Sequence, residues 1–121
     1  MSLYLLDADA VIDILKGISS TAEFVRSLVR AGNRLATAAL VVGEVWSGLH
    51  PEDRRQGQRF LASLVYLPTS QEPARQAGEW RYDYARRGMQ LTLADALIAA
   101  TAYEHGASLV TANVRHFSMQ A

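Results

Sequence analysis

Four short apolar runs, at residues 3–6, 35–37, 65–67 and 108–110, alternate with longer segments of helical period. This alternation constrains the fold more than any other feature of the chain. The first run, Leu3-Tyr4-Leu5-Leu6, is continuously apolar. That is the pattern of a strand covered on both faces of a parallel sheet. Parallel neighbours need crossover connections, which helices usually supply. A short helix is predicted after Asp7, stopped at Gly17, and a second from the N-cap offered by Ser19-Ser20-Thr21 to Gly32-Asn33. Further helices are predicted over 38–49 (limited by Pro51), 52–64, 71–87 and 92–105, the last closed by Gly106. Residues 113–121 read as a loop or a short helical turn. The expected fold class is α/β, with a short parallel sheet covered by helices. At 121 residues, half of them hydrophobic, residues 1–121 are expected to form one domain around one core.

Composition narrows the chemistry. Twelve basic residues balance twelve acidic ones, which argues against a protein that coats nucleic acid with bulk positive charge. There is no cysteine, so disulfides, thiolate metal sites and a cysteine nucleophile are excluded. No stretch approaches the roughly 20 apolar residues of a membrane span. The apolar start is interrupted at once by Asp7, Asp9 and Asp13 and does not read as a signal peptide, so a cytoplasmic location is expected. Gly-x-Ser-x-Gly, P-loop and Gly-x-Gly-x-x-Gly motifs are all absent. The histidines, His50, His105 and His116, are isolated. His105, in the last turn of its helix, suits a structural role there.

Three carboxylates stand out. Asp7 ends the first apolar run and Asp9 follows two residues later; either can cap the next helix, but a cap does not need both. Glu44 sits in an otherwise apolar helix, Ala39-Leu-Val-Val-Gly-Glu-Val-Trp, which is expected to be buried. Asp95 lies three residues after Thr92 in a capping-box pattern, yet it shares a face with Ile98 and Ala99. In an open parallel sheet, ligands bind beyond the carboxyl ends of the strands, where Asp7, the segment after Thr37 and Asn113 are expected. If the acids converge there, they repel one another and raise their pKa values, and a hard divalent cation relieves the strain. Mg²⁺ or Mn²⁺ prefers such oxygen ligands, keeps several waters and suits phosphodiester hydrolysis.

Three segments carry a resemblance to a known family: Tyr4-Leu-Leu-Asp-Ala-Asp-Ala-Val-Ile-Asp, Ala38-Ala-Leu-Val-Val-Gly-Glu-Val-Trp-Ser-Gly, and Leu93-Ala-Asp-Ala-Leu-Ile-Ala-Ala-Thr-Ala continuing to Gly106-Ala-Ser-Leu-Val-Thr-Ala-Asn-Val-Arg-His-Phe. In this order the chain resembles the PIN-domain proteins, specifically VapC-type toxins of toxin–antitoxin pairs. The resemblance implies a three-layer α/β sandwich and Mg²⁺- or Mn²⁺-dependent endoribonuclease activity. It also implies a homodimer and a VapB-like antitoxin whose tail fills the active-site groove. The family's acidic positions fall on Asp7, Glu44 and Asp95, and its fourth polar position on Asn113. Asp7-Ala8-Asp9 stands where Asp-Thr-Asn or Asp-Thr-Ser is common; Ala8 removes a hydroxyl, while Asp9 adds a charge and a possible extra ligand. Neither Asn113 nor His116 is acidic, which points to one well-held ion rather than two.

Two other readings start from the same residues. Asp7-Ala8-Asp9 also resembles the first motif of haloacid dehalogenase-like phosphatases, but these need a downstream lysine, and the sole lysine, Lys16, is only nine residues away. A catalytically degenerate PIN fold that only binds RNA or a partner is the other. RNA contact is expected through Arg54, Arg55, Arg59, Arg75, Arg81, Arg86 and Arg87. Arginine makes up eleven of the twelve basic residues, which either reflects genome composition or exploits guanidinium forks on phosphate.

Overall fold

The computed structural model describes residues 1–111. Four parallel strands, β1 (Leu3–Leu6), β2 (Arg34–Thr37), β3 (Val65–Tyr66) and β4 (Ser108–Val110), form a sheet in the order β3-β2-β1-β4. β1 is central: Leu5 pairs with Ala36 on one side and Leu109 on the other. Consecutive strand residues point to opposite faces, and Leu5 and Leu6 are both fully buried, so helices cover both sides of the sheet. The α/β architecture expected from the alternating runs is the one observed.

The crossovers are α1 (Ala8–Lys16) with α2 (Ser19–Arg30), α3 (Ala39–Gly48) with α4 (Arg54–Ala62), and α5 (Gln71–Arg86) with α6 (Leu93–Glu104). α1 ends where expected: Gly17 takes φ 78°, a left-handed conformation that a side chain disfavours. α2 begins differently from expectation. Its N-cap is Ile18, without a side-chain bond, and Thr21 instead donates to Asp13 of α1 across 3.2 Å. Pro51 opens a 3-10 turn, Pro51–Asp53, that feeds into α4. α4 is shorter than the predicted 52–64 because Ser63 and Leu64 donate to carbonyls only three residues back, tightening the chain out of α geometry.

The main core gathers Leu5, Leu6, Val11, Ala36, Val41, Val45, Leu61 and Ile98. A smaller cluster of Ala77, Leu91, Ala96 and Ala100 joins α5 to α6. α6 therefore buries more than the one expected side: Ile98 and Ala102 face the sheet core and Ala96 and Ala100 face α5, while Leu93 is half exposed. Small residues on the second face let the two helices approach closely. Thr101, also buried, satisfies its hydroxyl on the Leu97 carbonyl at 2.8 Å. His105 follows α6 and its Nε2 lies 2.7 Å from the Pro68 carbonyl, tying α6 to the segment before α5.

α3 departs most from expectation. Only Val41 and Val45 are buried in it; Gly43, Glu44, Ser47 and Gly48 are exposed. Glycine has no side chain and serine only a short one, so the open side of this helix does not register as a broad charged stripe in the sequence.

Candidate active site

Strands β1, β2 and β3 progress in one direction across the sheet, whereas β4 returns to the other side of β1. The carboxyl ends of β1 and β4 thus diverge at a topological switch point, the place where open α/β sheets form a crevice. Asp7 stands there as the last residue before α1. Its backbone N–H donates to Val110 O at 3.0 Å, continuing the β1–β4 ladder, and its Oδ1 accepts from Ala10 N at 2.8 Å. Asp7 is therefore the N-cap of α1, as the sequence allowed, and a buried carboxylate at 5 % exposure. The Thr111 side chain, just beyond β4, hydrogen-bonds to it as well.

A pocket of about 160 Å³ opens at this point, lined by Asp7, Ala8, Asp9, Ile12, Glu44, Asp95 and Ile98. Chain regions far apart in sequence thus meet on one small surface. Asp9 lies in the first turn of α1 and Asp95 in the first turn of α6, where helix dipoles favour negative charge. The capping pattern at Asp95 is real: Thr92 Oγ1 accepts from Asp95 N at 3.0 Å. Capping sets where α6 begins, and that start aims Asp95 at the pocket. Glu44 reaches it from the open side of α3 and is exposed at the mouth, not buried in an apolar helix as expected.

Burial pushes the Asp7 carboxyl above the usual carboxylate range, and the charges of Asp9 and Asp95 add to this; the hydrogen bonds from Thr111 and Ala10 act in the opposite direction. Glu44 is also raised, by desolvation first and then by the charges of Asp95, Asp9 and Asp7. Among the described residues no Lys, Arg or His lines the pocket. Hydrogen bonds offset part of the repulsion at Asp7, but no described cationic side chain in the lining does, and an external cation is a natural counter-charge.

The donor set, carboxylate oxygens only, fits a hard divalent ion. Among the described residues no group of three or more His, Cys, Asp or Glu side chains is arranged to hold one ion directly. The fit is therefore to an ion that keeps most of its water and takes one or two direct carboxylates, as Mg²⁺ commonly does. Lys16 ends α1 and does not line the pocket, which leaves the phosphatase reading without its lysine. Asn113 and His116 lie outside the described residues. The segment after Thr37 contributes Glu44, while Thr37 itself lines a separate apolar pocket with Trp46 and Tyr66. Sequence reading overlooked Thr111; its signal is that it follows β4 as Asp7 follows β1.

Residues 4–120 match the PIN domain family. The chain belongs to the PIN-domain family. The PIN domain is 34 % identical over 117 residues to Ribonuclease VapC10 of Mycobacterium tuberculosis, covering 97 % of this chain and 87 % of that protein. Its fold superposes on VapBC2 from Rickettsia felis, solved bound to a DNA fragment from their promoter, with a TM-score of 0.81 at 24 % identity, covering 97 % of this chain and 92 % of that one. A toxin–antitoxin complex from Klebsiella pneumoniae gives a TM-score of 0.75 at 26 % identity, over 95 % and 90 % of the two chains.

The raised carboxyls make a pH prediction for the metal-free PIN domain. A group whose pKa is higher folded than unfolded favours folding while protonated in both states, and that contribution is lost as pH rises through the folded value. Asp7→Asn, which keeps a good N-cap residue, is expected to melt higher than the parent in chelator at pH 7. The gain should vanish toward about pH 4, where unfolded carboxyls also take up protons. Melting curves across that range check it, and a gain that does not change with pH rules out the charge explanation.

Proposed function

We propose that residues 1–121 form one PIN domain acting as a divalent-metal-dependent endoribonuclease, the toxin half of a VapBC-type toxin–antitoxin pair. The reading rests on one observation above all: Asp7, Asp9, Glu44 and Asp95 line one pocket that contains no cationic side chain among the described residues. Kinship with a protein named Ribonuclease VapC10 gives that pocket its substrate class. Mg²⁺ or Mn²⁺ is the proposed ion, with Asp7 and Asp95 its main holders and Glu44 and Asp9 around them. When bound, such an ion activates water and neutralises charge developing on the scissile phosphodiester.

The chain's own residues do the rest. Asp7, fixed by Ala10 N and Thr111, presents one carboxylate in a constant position. Glu44, at the solvent mouth and with its pKa raised first by desolvation, is suited to accept a proton from the attacking water. Ile12 and Ile98 form an apolar wall that limits water in the pocket. Asn113 is the proposed fourth polar group, orienting the phosphate or its water. A VapB-like antitoxin is the proposed inhibitor, in keeping with the resemblance to VapBC complexes, and the working form is proposed to be a homodimer in the cytoplasm.

Cleavage of single-stranded RNA by the purified protein tests this. Cleavage is expected to fall to background in excess chelator and to return when Mg²⁺ or Mn²⁺ is restored. Calorimetric titration that detects no divalent binding at millimolar levels, together with metal-independent RNA binding, would point to a non-catalytic binding module instead.

A further inference from the structure

We propose that the pocket between the C-terminal half of α5 and the segment leading into α6 is a nucleotide subsite, holding the RNA unit next to the scissile phosphate. This inference rests on the ribonuclease reading above. The acid pocket carries four carboxylates and, among the described residues, no cation, so it repels an RNA chain everywhere except at the reacting group. Affinity for a polyanion must come from an adjacent surface of opposite sign.

The α5–α6 pocket supplies that surface. It encloses about 530 Å³, within the range of sites that hold small ligands. Arg81, Tyr82, Met89, Gln90 and Thr92 line it, and among the described residues no carboxylate does. Tyr82 and Met89 are 56 % and 43 % exposed, offering a flat ring and a thioether against which a base can stack. The Gln90 amide can pair with a base edge, and Arg81 can hold a phosphate. The Arg86 guanidinium lies 4.5 Å from the centroid of the Tyr82 ring, which lines the pocket. This stack holds a second cation beside the pocket and reduces the ordering entropy lost when it meets phosphate. Proximity completes the case. Thr92 lines this pocket while its hydroxyl accepts from Asp95 N, and Asp95 lines the acid pocket one helical turn on. An RNA strand with one phosphate at the acids can therefore place a neighbouring base here.

Full-length protein and a labelled single-stranded RNA of randomised sequence test the subsite. Arg81→Glu and Tyr82→Ala are each expected to raise KM by about tenfold while kcat stays within about twofold. Arg81→Glu is also expected to flatten the salt dependence of RNA binding. Arg34→Glu, at the amino end of β2, should change neither. If Arg81→Glu fails to fold by circular dichroism, Arg81→Gln, which keeps most of the stem, carries the same expectation. Unchanged KM and salt dependence in folded variants of an active protein overturn the subsite but leave the ribonuclease reading standing. Weaker binding accompanied by a change in oligomeric state overturns it too, because this face then serves a second copy of the chain. An unaltered protein that neither binds nor cleaves RNA removes both proposals.

Discussion

Asp7→Asn is expected to lower RNA cleavage by about 10²–10³-fold without unfolding the protein, the scale seen when one preorganised charge-stabilising group is removed from an active site. The substitution preserves shape and can still cap α1, because Asn accepts from a helix N–H almost as well as Asp does. What it loses is the negative charge at the switch point of the sheet. Asp7 is the most buried of the pocket's acids, and its position is fixed by three hydrogen bonds, from its own N–H to Val110 and from Ala10 and Thr111 to its carboxyl group. A neighbouring acid is therefore poorly placed to substitute for it. Asp95→Asn should behave alike, and Glu44→Gln should cost less at high pH, where bulk hydroxide replaces a proton acceptor. Cleavage rates at saturating metal with matched thermal melts decide the matter. A fully active Asp7→Asn protein would sink the proposed site.

Ile98→Ala is expected to be the costliest single core change near the site. Ile98 is 2 % exposed and belongs to the main core, yet it also forms part of the acid pocket's wall. Truncation to Ala leaves a cavity and costs about 2–5 kcal/mol. That is a large share of the roughly 5–15 kcal/mol by which a domain of this kind is stable. A fall of roughly 10–20 °C in melting temperature follows for a chain of this size. Asp95 lies three residues earlier on the same face of α6, so activity should decline even where the variant remains folded. Ile98→Val should cost only about 0.5–1.5 kcal/mol. A melting shift for Ile98→Ala no larger than that for Ile98→Val would mean the wall is not packed as described.

Features written by local physics were legible in the sequence. β1 was readable because four successive apolar residues have few alternatives to a doubly covered strand. α1 was readable because Gly17 is free to adopt the left-handed end that stops it. The helix starts that place Asp7 and Asp95 toward the sheet's carboxyl edge were readable because each carries a capping pattern. Features set by tertiary contact were not. β3 shrinks to Val65–Tyr66, although Leu67 still donates to the Thr37 carbonyl at 2.8 Å. α3 is buried on one side only, through Val41 and Val45, because Gly43, Ser47 and Gly48 make an open side of small residues, and the fold shows Glu44 projecting from it. The double-sided packing of α6 leaves no second apolar stripe in the sequence, because alanine suits a buried face and an exposed one equally well. A hydroxyl at a strand end is common, so the parallel between Thr111 after β4 and Asp7 after β1 gains meaning only once the two strands pair.

The order in which the pocket's parts are synthesised has a further consequence. β1 cannot complete its second edge until residues 108–110 have left the ribosome, and Asp95 is in place only once α6 can dock. A nascent or prematurely released chain thus holds Asp7, Asp9 and Glu44 without the element that closes the group. A chain truncated before α6 is therefore expected to cleave no RNA even where its remaining elements fold.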